Sequence, residues 1–337
     1  PNRKETIKGK DGTVGFIYSW SGNKDAGAGE KEIIRIVEGE KIETHVRIAE
    51  HNGAIYLDLC DEDWRQVRVT VSGWEVIQSQ ESPVRFRRAS GMLPLPAPVR
   101  GGELSELREL LNLNSDDADN WIMILGWLVA SLKPGNVNRF SYPLLTIHGE
   151  QGSAKSTASR LLRRLVDPNK ADLRTTPKNE HDLAIAAEHG WVQAFDNLSY
   201  LSETLSNALC RMATGGGLAT RQLYSDEGEV IFDFRRPVII NGISEVVSKS
   251  DLLERAILIY LPRIPANKRK MDSVIDSEFR VAQPRILGAL FTAISSGLRK
   301  MREGVELIDP PRMADFAEWA TACEEGLGLN KGDFMQA

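Results

Sequence analysis

The stretch Leu144-Leu-Thr-Ile-His-Gly-Glu-Gln-Gly-Ser-Ala-Lys-Ser-Thr157 decides the fold of this chain. Its apolar beginning predicts a buried strand over 144–148, and a helical pattern over 158–166 follows the glycine-containing loop. Strand, loop, Lys-Ser pair and helix are the parts of a phosphate-binding P-loop. In such a loop backbone N–H groups at the helix N-terminus face phosphate oxygens, the lysine adds positive charge, and the serine hydroxyl binds Mg²⁺. We therefore expect Lys155 and Ser156 to hold a nucleotide phosphate and its metal ion.

The predicted phosphate contacts form one continuous segment of the chain. They are Gly149, Glu150, Gln151, Gly152, Ser153, Ala154, Lys155, Ser156 and Thr157. The usual pattern, G-x-x-x-x-G-K-[ST], has a second glycine where this chain has Ala154. Because alanine disfavours positive φ, we expect Gly149 and Gly152 to take the strained backbone positions. The alternative is a chance Lys-Ser pair at a helix start, but the flanking strand and helix argue against it.

Composition and charge bound the class of protein. The chain has 337 residues, of which 42% are hydrophobic and 26% charged, and this is typical of a soluble globular protein of two or three domains. A net charge of −5 argues against a wholly basic nucleic-acid-coating protein but allows a local basic loop. Cys60, Cys210 and Cys323 lie far apart, which indicates a reducing cytoplasm and no disulfide framework or zinc site.

The chain divides by pattern into four regions. Alternating runs within 44–88 indicate short strands, whereas apolar strands alternating with helical segments after the P-loop strand indicate an α/β sheet. The longest apolar run, 121–132, is too short to cross a bilayer, so we expect no membrane partner. The chain starts without Met and stops in an apparent helix, which indicates a piece of a longer polypeptide. The predicted regions are 1–91 (β-rich), 92–141 (linker and helical collar), 142–264 (P-loop core) and 265–337 (C-terminal helices).

A second predicted strand, 191–197, carries a carboxylate near its end. In P-loop ATPases a strand beside the P-loop strand delivers an aspartate to Mg²⁺, and Asp196 is suitably placed for this role. The next residue is Asn197, where an acidic residue usually polarises the attacking water, and Glu203 is the nearest downstream replacement. The alternative for Asp196 is an ordinary strand-end aspartate that caps the next helix.

Two more polar residues follow in order along the core. Asn241 ends a third strand and is placed to contact the γ-phosphate or the attacking water, although it could be a simple turn residue. Arg255 closes a helical stretch before a fourth strand, 256–261. It would point away from its own site and could stabilise phosphate charge in a neighbouring subunit. The alternative is a cation that satisfies the helix dipole.

A predicted hairpin lies between the second and third strands. Its strands are 219–224 and 230–234, and its tip, 225–229, is acidic. An acidic tip does not suit DNA, so the better phosphate contacts are the basic side chains near its base, Arg221, Arg235 and Arg236. A merely solvated hairpin is the alternative.

The order of these motifs resembles the AAA+ ATPases, and more closely their superfamily 3 helicase clade, over about 142–303. The amino-acid sequence around the motifs is similar to that of primase–helicase-like proteins of prophages and integrative elements. The resemblance implies an AAA+ core with a parallel sheet and a pre-sensor hairpin, with ATP and Mg²⁺ as cofactors. It also implies a hexameric ring acting on single-stranded or forked DNA, with a primase domain or subunit as a further candidate partner. The resemblance further implies that Lys155 and the loop amides hold phosphates and that Ser156 and Asp196 hold Mg²⁺. It implies that Asn241 senses the γ-phosphate and that Arg255 acts on the site of a neighbouring subunit.

Two other functions stay open from the sequence. A nucleotide-gated regulatory or protein-remodelling ATPase is favoured slightly by the acidic hairpin tip and the net charge. A small-molecule kinase ranks last, because 142–303 shows no clear acceptor lid and a trans-acting arginine has no use in a monomer.

Overall fold

The computed structural model describes residues 3–8, 14–19, 43–114, 116–135, 140–198, 200–215, 218–221, 229–232, 235–242 and 250–337. The chain forms two compact units, Pro1–Glu43 and Thr44–Ala337. In the first, strands β1 (Arg3–Lys8) and β2 (Val14–Ser19) pair antiparallel. The sequence predicted a β-rich region over 1–91 but no particular strand here, because Arg3–Lys8 contains a single apolar residue and shows no alternation.

The second unit begins with six short strands, which are β3 (Thr44–His45), β4 (Ile48–His51), β5 (Ala54–Asp58), β6 (Gln66–Thr70), β7 (Gly73–Ile77) and β8 (Arg85–Phe86). Strands β4 to β7 form a four-stranded antiparallel sheet in chain order, whereas β3 and β8 form a separate parallel pair. The β4–β5 turn has positive φ at Asn52 and Gly53, the combination that a tight hairpin favours. Residues 44–88 thus form short strands, as their alternating pattern predicted.

A parallel sheet forms the centre of the second unit. Its strands are β9 (Leu144–His148), β10 (Gln193–Phe195), β13 (Val238–Gly242) and β14 (Ala256–Tyr260), in the order β10-β13-β9-β14. Between β10 and β13 in the chain, β11 (Leu218–Arg221) and β12 (Glu229–Phe232) form the predicted hairpin. Residues 222–228, which include most of its predicted tip, lie outside the described residues. The expectation that the Asp196 strand lies beside the P-loop strand is wrong, because β13 separates β10 from β9.

Helices cover the parallel sheet and build the C-terminal part. They are α1 (Ser105–Arg108), α2 (Ala118–Ser131), α3 (Lys155–Val166), α4 (Glu180–Glu188), α5 (Glu203–Thr214), α6 (Ser250–Leu253), α7 (Asp272–Glu303), α8 (Ala314–Cys323) and α9 (Asp333–Gln336). The apolar periodicity over 272–303 predicts a helix with the bounds of α7. Apolar residues at 104, 107, 110 and 111 predict a second helix over 103–113, but the structure has a single turn there, α1, in which Leu107 is buried. Among the described helices, none has the length and apolarity needed to cross a membrane.

The core holds α3 firmly on the parallel sheet. Leu161, Leu162 and Leu165 of α3 are fully buried and share one cluster with Leu145 and Ile147 of β9. Burying a side chain of this size contributes about 1.5–3 kcal/mol. The carboxyl ends of parallel strands meet at one edge of a sheet, which is where ligands bind in open α/β folds. The packing therefore fixes the start of α3 at that edge.

Candidate functional site

The 149–157 loop joins β9 to α3 through three left-handed residues. Gly149 has φ 152 and Gly152 has φ 82, as expected for the two glycines. The expectation for Ala154 is wrong, since this residue precedes α3 with φ 63 and ψ 29. A non-glycine residue in this region is strained, because its Cβ crowds the following carbonyl oxygen. The chain thus keeps the backbone turn that the usual glycine allows, but with an alanine.

This strain can be measured by replacing Ala154 with glycine. The left-handed region costs an L-residue roughly 1–2 kcal/mol, part of which is offset by the greater freedom of glycine in the unfolded chain. We expect Ala154→Gly to raise Tm by about 1–3 °C. Ala158→Gly, inside α3, makes the same chemical change in a helix interior and should lower stability by about 1 kcal/mol or more. A fall in Tm for both variants would contradict the strained conformation of Ala154.

Lys155 is the first residue of α3 and turns back over the loop. Its Nζ donates hydrogen bonds to the carbonyl oxygens of Gly149 (2.7 Å) and Glu150 (2.8 Å). Partial burial lowers the pKa of the ammonium, and the negative charge of Asp196 opposes that shift. The ammonium is therefore held among the loop atoms, where phosphate oxygens could replace the two carbonyls as its acceptors.

Ser156 and Asp196 meet at the carboxyl edge of the sheet. The Ser156 hydroxyl donates to Asp196 Oδ1 at 2.7 Å, although 40 residues separate the two in sequence. Asp196 follows β10, and its N–H donates to the carbonyl of Arg174. A hydroxyl and a carboxylate are hard oxygen ligands of the type that Mg²⁺ prefers, usually alongside phosphate oxygens. The residues present therefore fit a magnesium ion that accompanies a nucleotide.

Asn241 lies behind this pair and is buried, with 1% of its surface exposed. Its Oδ1 accepts from the Asn197 N–H at 2.9 Å, and its Nδ2 donates to Ser159 Oγ at 2.9 Å. It thus joins the end of β13 to α3 and to the residue after Asp196. This placement favours a role in positioning Asp196 over the predicted direct contact with a γ-phosphate.

Asn197 has a left-handed backbone conformation, which asparagine or aspartate tolerates better than glutamate. Its φ is 54, a left-handed conformation in which asparagine is several-fold enriched among non-glycine residues. A glutamate there would lack the short local hydrogen bonds that make the conformation tolerable for asparagine. The turn after β10 therefore suits asparagine better than glutamate, and the Asn197 N–H donates to Asn241.

A cleft of about 460 Å³ adjoins the loop. Its walls come from the loop and α3, from the 109–112 turn, and from a basic segment that contains Lys268, Arg269 and Lys270. Asn112 closes one side, because its Nδ2 donates to the carbonyls of Ser153 (3.1 Å) and Pro262 (2.5 Å). Asn112 was not predicted from the sequence, because a single asparagine at the end of a helical pattern does not indicate a place in a binding site. The cleft lining also contains Glu109, Asp272 and Glu278, so it carries charges of both signs.

Arg255 lies at the opposite edge of the sheet. Its carbonyl accepts from the Leu144 N–H, at the beginning of β9, whereas the loop follows the end of β9. With strands that rise about 3.3 Å per residue, this separates Arg255 from the loop by roughly 20 Å. Its Nη2 instead donates to Asp251 Oδ1 at 3.2 Å. The structure does not bring Arg255 to Lys155 of the same chain.

The predicted DNA contacts near the hairpin are placed differently from one another. Arg236 is 7% exposed, its Nε donates to the Ala187 carbonyl, and its guanidinium lies 4.9 Å from the Trp191 ring centroid. Burial lowers its pKa to about 10, so it stays charged at neutral pH. This burial argues against Arg236 as a phosphate contact. Arg235 is half-buried and donates to the Gly135 carbonyl at 3.1 Å, and the side chain of Arg221 is outside the described residues.

Several solved structures resemble this chain in part. One of them is described as SCCmec type IV Cch, active helicase. It is 15% identical with a TM-score of 0.45, and the match covers 86% of this chain and 57% of that one. The apo A form of the NrS-1 C-terminal region is 13% identical with a TM-score of 0.43, covering 75% and 66%. The NrS-1 fragment 305–718 is 13% identical with a TM-score of 0.40, covering 69% and 65%. This chain thus spans less than two thirds of the length of these three structures.

TM-scores below 0.5 at these identities support no inference about activity. No curated protein matches the chain. A family model does match: AICE_RepA, described as the actinomycete integrative conjugative element replication protein, over residues 104–336. Because this match spans α1 to α9 and more than half of the chain, the protein belongs to the family of replication proteins of actinomycete integrative conjugative elements.

Proposed function

We propose that this replication protein is an ATP-driven DNA helicase or translocase with an AAA+ core of the superfamily 3 type. The observation that carries the proposal is the 2.7 Å hydrogen bond between Ser156 Oγ and Asp196 Oδ1, directly beside Lys155. Two oxygen ligands and one ammonium then lie at a helix N-terminus, and this combination suits a magnesium–nucleotide complex better than other anions. Membership of a replication family supports DNA as the second substrate.

Each residue of the site has a proposed part in binding ATP. Lys155 and the loop N–H groups hold the phosphates, while Ser156 and Asp196 hold Mg²⁺. Held there, Mg²⁺ would supply positive charge to offset the charge that develops on the phosphates during transfer. The adjoining cleft takes the remainder of the nucleotide, and Asn112 keeps the loop and the segment after β14 at a fixed distance. Asn241 keeps Asp196 in place through the Asn197 N–H.

Hydrolysis in this site depends on a neighbouring subunit. Residue 197 is not a carboxylate, so the described site offers no acidic group next to Asp196 to polarise water. Arg255 lies at the far edge of the sheet, where it can face a second copy of the chain. We propose a homo-oligomeric ring, hexameric as in the clade that the sequence resembles, in which Arg255 completes the next subunit's site. The β11–β12 hairpin, with Arg221, contacts single-stranded DNA in the centre of the ring.

DNA-dependent ATPase activity tests the proposal against the protein-remodelling alternative. We expect single-stranded DNA to stimulate hydrolysis, and the stimulation to weaken as salt rises, because phosphate contacts release counterions. Arg221→Ala should reduce the stimulation. The control is Arg68→Ala, since Arg68 is a surface residue paired with Glu75 on the antiparallel sheet and should change nothing. Hydrolysis that is indifferent to DNA at every salt concentration would favour the remodelling ATPase.

A further inference from the structure

Asp167 is a fully buried carboxylate just after the C-terminal end of α3. Its Oδ2 accepts hydrogen bonds from the Trp191 N–H (2.7 Å) and the Val192 N–H (3.1 Å). Its Oδ1 accepts from Arg47 Nε at 2.9 Å. Trp191 and Val192 lead directly into β10, so this carboxylate ties the end of α3 to the beginning of that strand.

The helix α3 and the strand β10 are thus tied at both ends. At one end Asp167 holds the N–H groups that enter β10, and at the other end Ser156 of α3 bonds to Asp196, which follows β10. Between the two ties lie only the twelve residues of α3 and the three of β10. A shift of β10 along α3 at the Asp167 end must therefore appear as a changed distance between Ser156 and Asp196.

Arg47 connects Asp167 to residues 58–93, which include part of the antiparallel sheet. Its side chain is fully buried, and its Nη groups donate to the carbonyls of Asp58 (3.0 Å) and Leu93 (2.9 Å). The residue itself has φ 62, a strained conformation for arginine that persists only where the surroundings impose it. A buried ion pair needs such complete hydrogen bonding, because desolvation of the charges is otherwise too costly.

We propose that Asp167 and Arg47 are positioning residues for the magnesium ligands, and that they make residues 44–93 a working part of the ATPase. The brace formed by Asp167 and Arg47 sets the register of β10 on α3 and, with it, the spacing of Ser156 and Asp196. The inference rests on the proposed nucleotide function. It extends the functional unit to residues that precede the family match, which begins at residue 104.

The test removes both charges of the ion pair together, as Arg47→Met with Asp167→Asn, so that neither partner is left buried without the other. The probe is Mn²⁺ with a non-hydrolysable ATP analogue, followed by electron paramagnetic resonance. We expect the affinity for Mn²⁺ to fall about tenfold, as is common when groups behind metal ligands are changed. The affinity for the analogue in the presence of a chelator should be that of the unchanged chain.

Glu324 provides the matched control for lost stability. Its carboxylate is 3% exposed and accepts from the Gly332 N–H (2.9 Å) and the Phe334 N–H (2.8 Å), far along the chain from α3 and β10. Glu324→Gln should lower Tm but leave Mn²⁺ affinity unchanged. Unchanged Mn²⁺ affinity in the folded double variant, or an equal fall in Glu324→Gln, would overturn the brace. If the unchanged chain binds the analogue but binds no Mn²⁺, with or without the analogue, the proposed function is itself wrong.

Hydrogen exchange on the unchanged chain decides the matter if the double variant does not fold. Adding Mn²⁺ and the analogue should slow amide exchange at Trp191 and Val192 and in the segment 46–48 around Arg47. The strand segment 73–77 should show no change and serves as the internal reference. Equal exchange with and without the metal–nucleotide complex at 191–192 and 46–48 would also overturn the brace.

Discussion

Lys155→Ala should abolish ATP binding and hydrolysis at ordinary protein concentrations. The ammonium lies within 2.8 Å of two loop carbonyls, so a bound phosphate would meet it without rearrangement of α3. A hydrogen bond to a charged group contributes about 1.5–3 kcal/mol, and Lys155 can donate more than one to the phosphates. We therefore expect affinity for ATP to fall by about 100-fold or more. Calorimetric titration with ATP and a steady-state ATPase assay measure the two effects.

Lys300→Ala is the control for losing a lysine. Lys300 lies near the C-terminal end of α7, is about half exposed, and pairs with Glu303 at 3.0 Å. Exposed pairs of this kind contribute about 0–1 kcal/mol, so this variant should bind and hydrolyse ATP as before. Thermal unfolding of both variants checks that they are folded. Normal hydrolysis by Lys155→Ala would show that the 149–157 loop is not the nucleotide site.

The elements with strong periodicity could be predicted from sequence. The run 144–148 is β9, the stripe over 272–303 is α7, and the helix after the loop is α3. In the two helices apolar spacing reports burial on one face, whereas β9 is buried on both faces and was recognised as a short apolar run that ends at a glycine-containing loop. The meeting of Ser156 with Asp196 agrees with the prediction that both bind one Mg²⁺ ion, which came from the motif order of P-loop ATPases.

Tertiary neighbours explain what the sequence could not predict. Asn241 and Arg236 were expected to face ligands, yet Ser159 and Ala187 take up their polar groups inside the protein. No local pattern identifies such partners, because 82 and 49 residues separate them in sequence. The order of β10, β13 and β9 likewise depends on packing across the sheet. Ala154 was misjudged because propensity is only a weak guide where the surrounding fold imposes the backbone angles.

Arg255→Ala should bind ATP almost normally but hydrolyse it slowly. Arg255 is roughly 20 Å from the loop of its own chain, counted along β14 and β9 at about 3.3 Å per residue, so its loss leaves that chain's phosphate contacts intact. An arginine supplied to a neighbouring phosphate site is worth about 1,000-fold or more in rate. Arg312→Ala is the matched control, because Arg312 donates to the same Asp251 carboxylate at 2.6 Å and should leave the rate unchanged.

Mixing Arg255→Ala with Lys155→Ala tests whether the arginine acts between subunits. Each variant alone should be almost inactive, for different reasons. In a mixed ring, an interface is complete when a chain with an intact Lys155 receives Arg255 from the next chain, which random mixing at equal amounts gives at about one interface in four. ATPase activity should therefore recover to a measurable fraction. An arginine that acted within its own chain could give no recovery, because every chain would still lack one of the two groups. Absence of recovery in mixtures shown to co-assemble would remove the trans role of Arg255 and, with it, the strongest reason to expect a ring.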